Sequence, residues 1–436
     1  MDEIAYDGAR IGVVVVHYGT DDLTLRCLYS LLADDISPAT RVVVVDNGPG
    51  AGIAERLRRE LPEVAVVAPG HNTGFAGGCN RGIAALTDCD LVALVNSDAF
   101  VTPGWLGPLV AALDADPGLG AVVPKMRFEG RFHTLELTAT QTWRPGRGDG
   151  RQLAWQPQAV EVAGEDVTSR CRLVEGFWEP GRGGRWAGER SVLRIPALDG
   201  ATRARLRTAT PRGRTVELQV TGGGSVALRG DDNWTEVPLA DAPEPVLNNV
   251  GNERRADGYG LDRGFDEIDR GQHDRAGEVP AWCGGAVLLR RAYLDDVGPF
   301  DERLFLYYED LELSLRGAAR GWRYRYEPTS VVQHRHSAST RADTAASEVL
   351  KERNRLLVLA RHGRPGLLGA ELVRFVAVTL SYARRDIAAP LLRGMAPSGW
   401  LVRVRLRALA GALVRLPVML ASRRRDRARP GMPPLV

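Results

Sequence analysis

Apolar positions along the first 125 residues follow two alternating periods. Continuous runs rich in β-branched residues, IGVVVV (11–16), RVVVVDNG (41–48), VAVVAP (64–69) and LVALV (91–95), read as strands buried on both faces. Between them DDLTLRCLYSLLA (21–33) opens on two aspartates, an N-cap signal, and sets Leu25, Leu28 and Leu32 on one helical face. IAERLRREL (53–61) and CNRGIAAL (79–86) read as further helices. Strand–helix alternation of this kind predicts a doubly wound α/β sheet with right-handed crossovers.

From about 150 to 245 the period changes. SVLRIPA, ATRARLRTAT, TVELQV and SVALRG are short alternating runs, separated by Gly- and Pro-rich turns. They predict an antiparallel β-sandwich. AWCGGAVLLRRAYL (281–294) then resumes buried strand followed by helix, so the β segment reads as an insertion. LFLYYEDLELSLRGAARGW (304–322) predicts a helix opened by Glu309 and Asp310, with Leu311, Leu315 and Ala318 inward and Gly321 as its stop. The expected division is 1–149, the inserted domain 150–245, a second half 246–350, and a helical tail 351–436.

With 436 residues the chain exceeds one compact core, and 44% hydrophobic with 25% charged residues is ordinary for a folded domain protein. The net charge of +3 conceals a polarity, because residues 351–436 hold one Lys and 17 Arg against four acids. Five cysteines, far apart and without a CxxC pair, support neither a zinc ribbon nor a disulfide framework and favour a reduced, cytoplasmic protein. The acidic start MDEIAYDGAR lacks a secretory h-region. No run of 18 apolar residues occurs, since Glu371, Arg374 and Arg415 interrupt the best stretches, so no membrane span is expected.

The strand tip at LVALVNSDAF leaves Asp98 free for a turn or for a ligand at the carboxyl edge of the sheet. Asp46, in Asp-Asn-Gly, suits a turn or an acceptor for a pyrimidine imino group or a ribose hydroxyl. HYGTDD after the first strand is no dinucleotide fingerprint, and no phosphate-binding GK[ST] loop occurs. HNTGFAGGCNRG (71–82) is Gly-rich, and Gly74, Gly77 and Gly78 suit either a flexible loop or close approach to a ligand, with Asn72 and Asn80 beside them. Glu309 and Asp310 suit helix capping or, after Tyr307 and Tyr308, a general base beside a ring-binding surface. In SVVQHRHSAST either His334 or His336 could join Asp98 around a divalent ion, and imidazole would favour Mn²⁺ over Mg²⁺.

Taken together, IGVVVVHYG, VVVVDNG, NTGFAGGCNRG, VNSDAFVTPGWL, WCGGAVLLRRAYLDDVGPFDERLFLYYEDLELSLR and VVQHRHSAST resemble, in order, the family 2 inverting glycosyltransferases of GT-A fold, in particular the rhamnosyltransferase-like branch. The resemblance covers roughly 10–130 and 250–360. It implies a Rossmann-like GT-A domain and a donor site of His17, Asp46, Asn72, Gly74, Phe75, Asn80, Asn96 and Asp98. Asp98 and His334 become ligands of Mn²⁺ or Mg²⁺, with Asn96 where the family's metal motif has its first acid; His336 stands where the family frequently has Gly. Asp310 becomes the base with Glu309 beside it, and Trp282, Gly284, Gly285 and Tyr308 shape the acceptor side. Arg353 and Asn354 are expected to pack near the site.

The implied reaction moves a sugar, L-rhamnose from dTDP-rhamnose first, to a saccharide or polyprenyl-linked acceptor; a UDP-sugar transferase such as a galactofuranosyltransferase is the alternative. A non-catalytic carbohydrate-binding protein on the same scaffold is the rival class. Trp178, Trp186 and Trp234 of the insertion read as sugar platforms or as sandwich core, and the sequon at Asn233 carries little weight. The Arg-rich tail reads as a peripheral contact with an anionic membrane on the inner face of the cell membrane, or as an oligomer contact; nucleic acid is disfavoured because no binding module accompanies the charge.

Overall fold

Alternate residues of the first β-branched run bury on opposite faces. Val13 and Val15 pack with Leu25 and Leu28, whereas Val14 joins Cys79, Leu86 and Val92. This follows from the two-residue period of a strand covered by helices on both sides. The computed structural model describes residues 11–33, 40–48, 52–145, 150–179, 184–229, 234–239, 242–255, 257–336, 344–394 and 396–427. The sequon at Asn233 lies outside them.

The chain divides into two compact units. The first comprises Met1–Phe128, Leu247–Arg374 and Arg407–Val436. Its mixed sheet runs, in spatial order, Gly277–Val279, Arg323–His334, Leu119–Phe128, Ala286–Arg290, Leu91–Asn96, Ile11–His17, Arg41–Asp46 and Ala65–Val67. The strand Ile11–His17 is parallel to both neighbours, while Ala286–Arg290 is antiparallel to both of its own. Strands Ile11–His17, Arg41–Asp46 and Leu91–Asn96 therefore end on one edge, beside Asp98. The expected mixed α/β architecture is the one observed.

Two local readings change. The Gly-rich stretch is not a loop but mostly the helix Gly74–Ala84. A Cβ on Gly82 would lie 2.2 Å from Val14, and one on Gly78 would lie 2.6 Å from Val16. Those glycines let the helix lie flat on the first strand rather than admitting a ligand. The helix Glu309–Ala318 buries Glu312, Leu313 and Arg316 as well as Leu311, whereas Leu315 is half-buried and Ala318 exposed. Its inward polar side is filled by an ion cluster: Glu312 faces Arg316 at 2.9 Å, Arg361 at 2.8 Å and His362 at 2.9 Å.

The second unit comprises Glu129–Val246 and Phe375–Leu406. It begins upstream of the expected boundary near 150 because Phe132–Ala139 pairs with Ala187–Pro196 and Val216–Val220. A five-stranded and a four-stranded antiparallel sheet enclose one core around Trp155, Leu193, Leu206, Leu218 and Val237. Trp178 donates its ring N–H to the Gln152 carbonyl, and Arg205 and Arg207 lie over the Trp234 ring. The helical part of this unit adds Arg405 stacked on Phe375 at 3.7 Å and hydrogen-bonded to Thr379 at 3.0 Å.

The tail forms helices Ala345–His362, Pro365–Ala383 and Trp400–Arg427. The segment Gly366–Leu391, which Glu371 and Arg374 interrupt, is long and apolar enough to cross a membrane by length and composition, with mean hydropathy 1.4. Glu371 is buried against Arg355 at 3.1 Å rather than left as an outward charge.

Candidate active site

Strand Leu91–Asn96 ends with the Asn96 N–H donating to the Gly285 carbonyl, and the chain turns so that Asp98 is buried. His334, the last residue of strand Arg323–His334, comes to 3.0 Å from the Asp98 carboxylate through Nε2. Its Nδ1 lies 2.9 Å from the side-chain oxygen of Asn248. With Nδ1 donating to that oxygen, Nε2 is left as an acceptor facing the carboxylate. Two acceptors converging on one point fit a cation, and a neutral imidazole fixed through its other nitrogen is the usual ligating form. Among the described residues no cluster of three or more His, Cys, Asp or Glu is arranged for a metal. Asp98 and His334 thus fit a divalent ion only if the remaining ligands come from substrate oxygens and water. His336 instead sits edge-on to Phe128, Phe265 and His334.

Both residues open on a cavity of about 480 Å³, which Glu309 and Asp310 also line. Asp310 Oδ2 accepts from the Gly284 N–H at 2.9 Å, and Oδ1 accepts from the Leu311 N–H at 2.7 Å. Burial raises the pKa of Asp310 against those bonds, and raises that of Glu309 too, where the Asp310 charge adds to burial. Glu309 Oε2 is buried with no hydrogen-bond partner, a state that a donor from a ligand would relieve.

The acid pair is delivered by a strained segment. Phe305, Tyr307 and Tyr308 all have positive φ, at 68°, 70° and 71°. Each non-Gly residue in that region costs energy and needs support from its surroundings. Here Asn354 supplies it, donating to the carbonyls of Leu304, Leu306 and Tyr307, while Arg353 donates to Leu304. Gly74, with φ 72°, makes room beneath: a Cβ there would lie 2.3 Å from the Phe305 carbonyl oxygen.

Of the expected site residues, Phe75, Asn96, Asp98, Gly284, Gly285, Tyr308, Glu309, Asp310 and His334 line the cavity. Six others do not. Trp282, expected on the acceptor side, is fully buried, its ring N–H bonded to the Tyr293 hydroxyl, and does not face the cavity. Asn80 spends its amide on the backbone of Phe300, accepting from its N–H and donating to its carbonyl. Asn72 accepts from the Gly74 N–H and so shapes the turn before the helix. His17 and Asp46 are register partners on neighbouring strands; His17 bonds Thr24, and Asp46 accepts from the Gly48 N–H. Burial lowers the pKa of His17.

The cavity is also lined by Asn248, Asn249 and Asn252, from the stretch VLNNVGNERRADGYG (246–260) that the resemblance suggests as a loop near the acceptor side, and by Asp262 and Lys351, which the sequence reading did not single out. Three asparagines within LNNVGN were the available signal, but the same composition serves an ordinary turn.

Residues 12–174 match the family model described as Glycosyl transferase family 2. Over that stretch the chain is similar to the family 2 glycosyltransferases. Over 83 residues it is 39% identical to N-acetylglucosaminyl-diphospho-decaprenol L-rhamnosyltransferase of Mycobacterium tuberculosis, in strains CDC 1551 / Oshkosh and ATCC 25618 / H37Rv. That stretch is 19% of this chain, which spans about a quarter (27%) of the length of those curated relatives. Among solved structures, GalNAc-T7 with UDP, GalNAc and Mn²⁺ is similar at TM-score 0.48 and 12% identity, covering 98% of this chain and 59% of that one. The mannosyltransferase PcManGT from Pyrobaculum calidifontis, in complex with GDP-Man and Mn²⁺, is similar at TM-score 0.41 and 14% identity, covering 96% and 85%. The family match starts at the first strand and takes in Asp98, whereas Asp310 and His334 lie beyond it.

Proposed function

We propose that the chain is an inverting glycosyltransferase that moves a sugar from a nucleoside diphosphate donor to an acceptor hydroxyl. The donor of first choice is dTDP-L-rhamnose, and the acceptor is a saccharide or a polyprenyl-linked saccharide. What carries this reading is the opening of the acid pair, Glu309 buried and Asp310 half-buried, and of Asp98 with His334 onto one cavity. The rhamnosyl and lipid-linked parts are supported by the name of the mycobacterial relatives.

Asp310 takes the proton of the acceptor hydroxyl as its oxygen bonds to the anomeric carbon. The bond from that carbon to the diphosphate oxygen breaks on the opposite face, and its electron pair leaves on the diphosphate. Burial strengthens Asp310 as a base, while the N–H groups of Gly284 and Leu311 aim its carboxylate and keep it ionised. Glu309 offers its unpartnered oxygen to a second ligand hydroxyl. Asp98 and His334 would hold Mn²⁺ or Mg²⁺, which when bound supplies charge neutralisation for the departing diphosphate. Phe75 and Tyr308 provide an apolar wall for a sugar ring.

The working location is cytoplasmic, peripheral on the inner face of the cell membrane, where a polyprenyl-linked acceptor and anionic lipid are both within reach. A thermal-shift panel of dTDP- and UDP-sugars with and without Mn²⁺, followed by transfer assays, tests the reading. Stabilisation and turnover with dTDP-rhamnose support it. Response to UDP-sugars alone moves the assignment to a UDP-sugar transferase such as a galactofuranosyltransferase. Binding of saccharides with no turnover on any donor favours the non-catalytic alternative.

A further inference from the structure

Three asparagine side chains in the segment 248–252 face the cavity, and two of them form a directed chain. The Gly251 N–H donates to Asn249 Oδ1 at 2.7 Å, which fixes which end of that amide is oxygen. Asn249 Nδ2 then donates to Asn252 Oδ1 and to Asp262 Oδ1, each at 2.7 Å. Asn252 must therefore present its own NH₂ to the other side, where it meets the Trp282 carbonyl at 3.2 Å and Asp310 Oδ2 at 3.3 Å. A flipped Asn252 would set its oxygen against a carbonyl and a carboxylate, and its NH₂ against the NH₂ of Asn249. One backbone N–H thus dictates a donor at the acid, two amides away.

We infer that Asn252 is a positioning residue for Asp310, holding the carboxylate ionised and aimed into the cavity, with Asn249 as the element that sets its orientation. This rests on the reading of Asp310 as the base. The need for such a donor is plain from what else faces Asp310. Glu309 precedes it on the same helix, Asp262 approaches from the strand Gly260–Asp262, and Cys283 and Cys79 approach from the segments on either side. None of these is a cation that would hold the carboxylate charged, and burial pushes the proton onto the acid. Asn252 is the side-chain donor that works the other way, alongside the N–H groups of Gly284 and Leu311.

The test is the pH dependence of turnover in the full-length protein. A base works once deprotonated, so activity appears as pH rises through its pKa, and loss of a donor moves that limb upward. Asn252→Ala should shift the acid limb up by about one pH unit, with donor KM changed less than about twofold. Asn252→Asp keeps the shape and the bond from Asn249 but puts a carboxylate against Asp310, so its shift should be larger. Asn249→Ala should give a smaller shift in the same direction. Lowered turnover with an unmoved acid limb in the folded variants would overturn the inference and leave Asn252 a packing residue. Asp310→Asn is the separate control: if it retains turnover, the base assignment fails first, whatever the asparagine variants do.

Discussion

The side-chain amide of Asn354 donates to the carbonyl of Tyr307 at 2.7 Å, and Tyr307 holds a φ of 70°. The two belong together, because the same amide also reaches the carbonyls of Leu304 and Leu306, at 2.8 and 2.9 Å. A fully buried NH₂ on helix Ala345–His362 thereby clamps the left-handed segment that presents Glu309 and Asp310.

Asn354→Ala should release that segment. Buried carbonyls lose their donor and the strain loses its support, so stability should fall by roughly 2–4 kcal/mol. Turnover should fall too, even at temperatures where the variant stays folded. Denaturant melts and kcat measured together check this; lost stability with unchanged kcat would mean that the acid pair holds its place without the clamp.

Asp98→Ala should abolish metal-dependent nucleotide binding. Removing one of two convergent acceptors leaves His334 alone, too little to bind a hard divalent ion at neutral pH. The readout is the thermal shift produced by dTDP or UDP with and without Mn²⁺. A Mn²⁺-dependent shift that survives in the variant sinks the assignment.

Asp310→Asn is nearly isosteric but cannot take a proton, so turnover should drop by ~10²-fold or more while donor binding persists. Glu309→Gln should be milder, since its role is to receive a ligand hydroxyl. If the pattern is reversed, with Glu309→Gln inactive and Asp310→Asn active, the two roles are exchanged.

Much of this was legible along the chain because it rests on local chemistry. Val13 to Val16 could only be a doubly covered strand, and Asp98 and Asp310 stood out as acids at a strand tip and a helix start. What could not be read depends on partners far away in sequence. Asn80 looked like a ligand contact until Phe300, 220 residues on, claimed both ends of its amide. Gly78 looked like a flexible loop or room for a ligand, and it turns out to be room for Val16, as its helix neighbour Gly82 is for Val14. Glu312 and Arg316 drew no notice in the sequence, whereas Arg361 and His362 make that helix face an interior one.

That interior cluster gives a stability prediction. Burial alone would raise the pKa of Glu312, but Arg316 and Arg361 hold it well below the usual carboxylate range. Its stabilising contribution is therefore complete above the unfolded value of about 4.3 and is lost as pH falls below it. His362, whose pKa burial lowers, acts in the same direction through the range just above. Glu312→Gln leaves the buried Arg316 guanidinium without its anion, takes one of three carboxylates from Arg361, and should cost about 3–5 kcal/mol at pH 7. Melting temperatures from pH 3 to 8 should show the gap between variant and wild type closing at the acid end; a constant gap would mean that packing, not charge, is lost.

The membrane reading makes the last prediction, and the structure changes how it must be tested. Removing residues 396–436 is a poor experiment, because helix Trp400–Arg427 buries Ala412 and Met419 and ties Asp426 to Arg361 at 2.8 Å. The outward side of that helix is separate from this packing. Leu406, Leu413, Val414 and Val418 are exposed and recur at spacings of seven, one and four, which puts them on one face. Arg403, Arg407, Arg424 and Arg425 are exposed along the same helix. The tail's acids are turned to basic partners instead, Glu352 and Glu371 to Arg355, Asp386 to Arg385, and Asp426 to Arg361. Apolar insertion with an arginine fringe suits an anionic bilayer, where each surface Arg contributes about 1 kcal/mol, decaying over a Debye length. The variant Leu413→Glu/Val414→Glu alters only exposed positions and should keep its melting temperature and nucleotide response. Its co-sedimentation with anionic vesicles should nevertheless fall at least tenfold. Wild-type binding should weaken with salt without vanishing, because apolar contact remains. Equal pelleting of wild type and variant, or none of either, would reject the bilayer, and light scattering would then show whether the same face joins two copies of the chain.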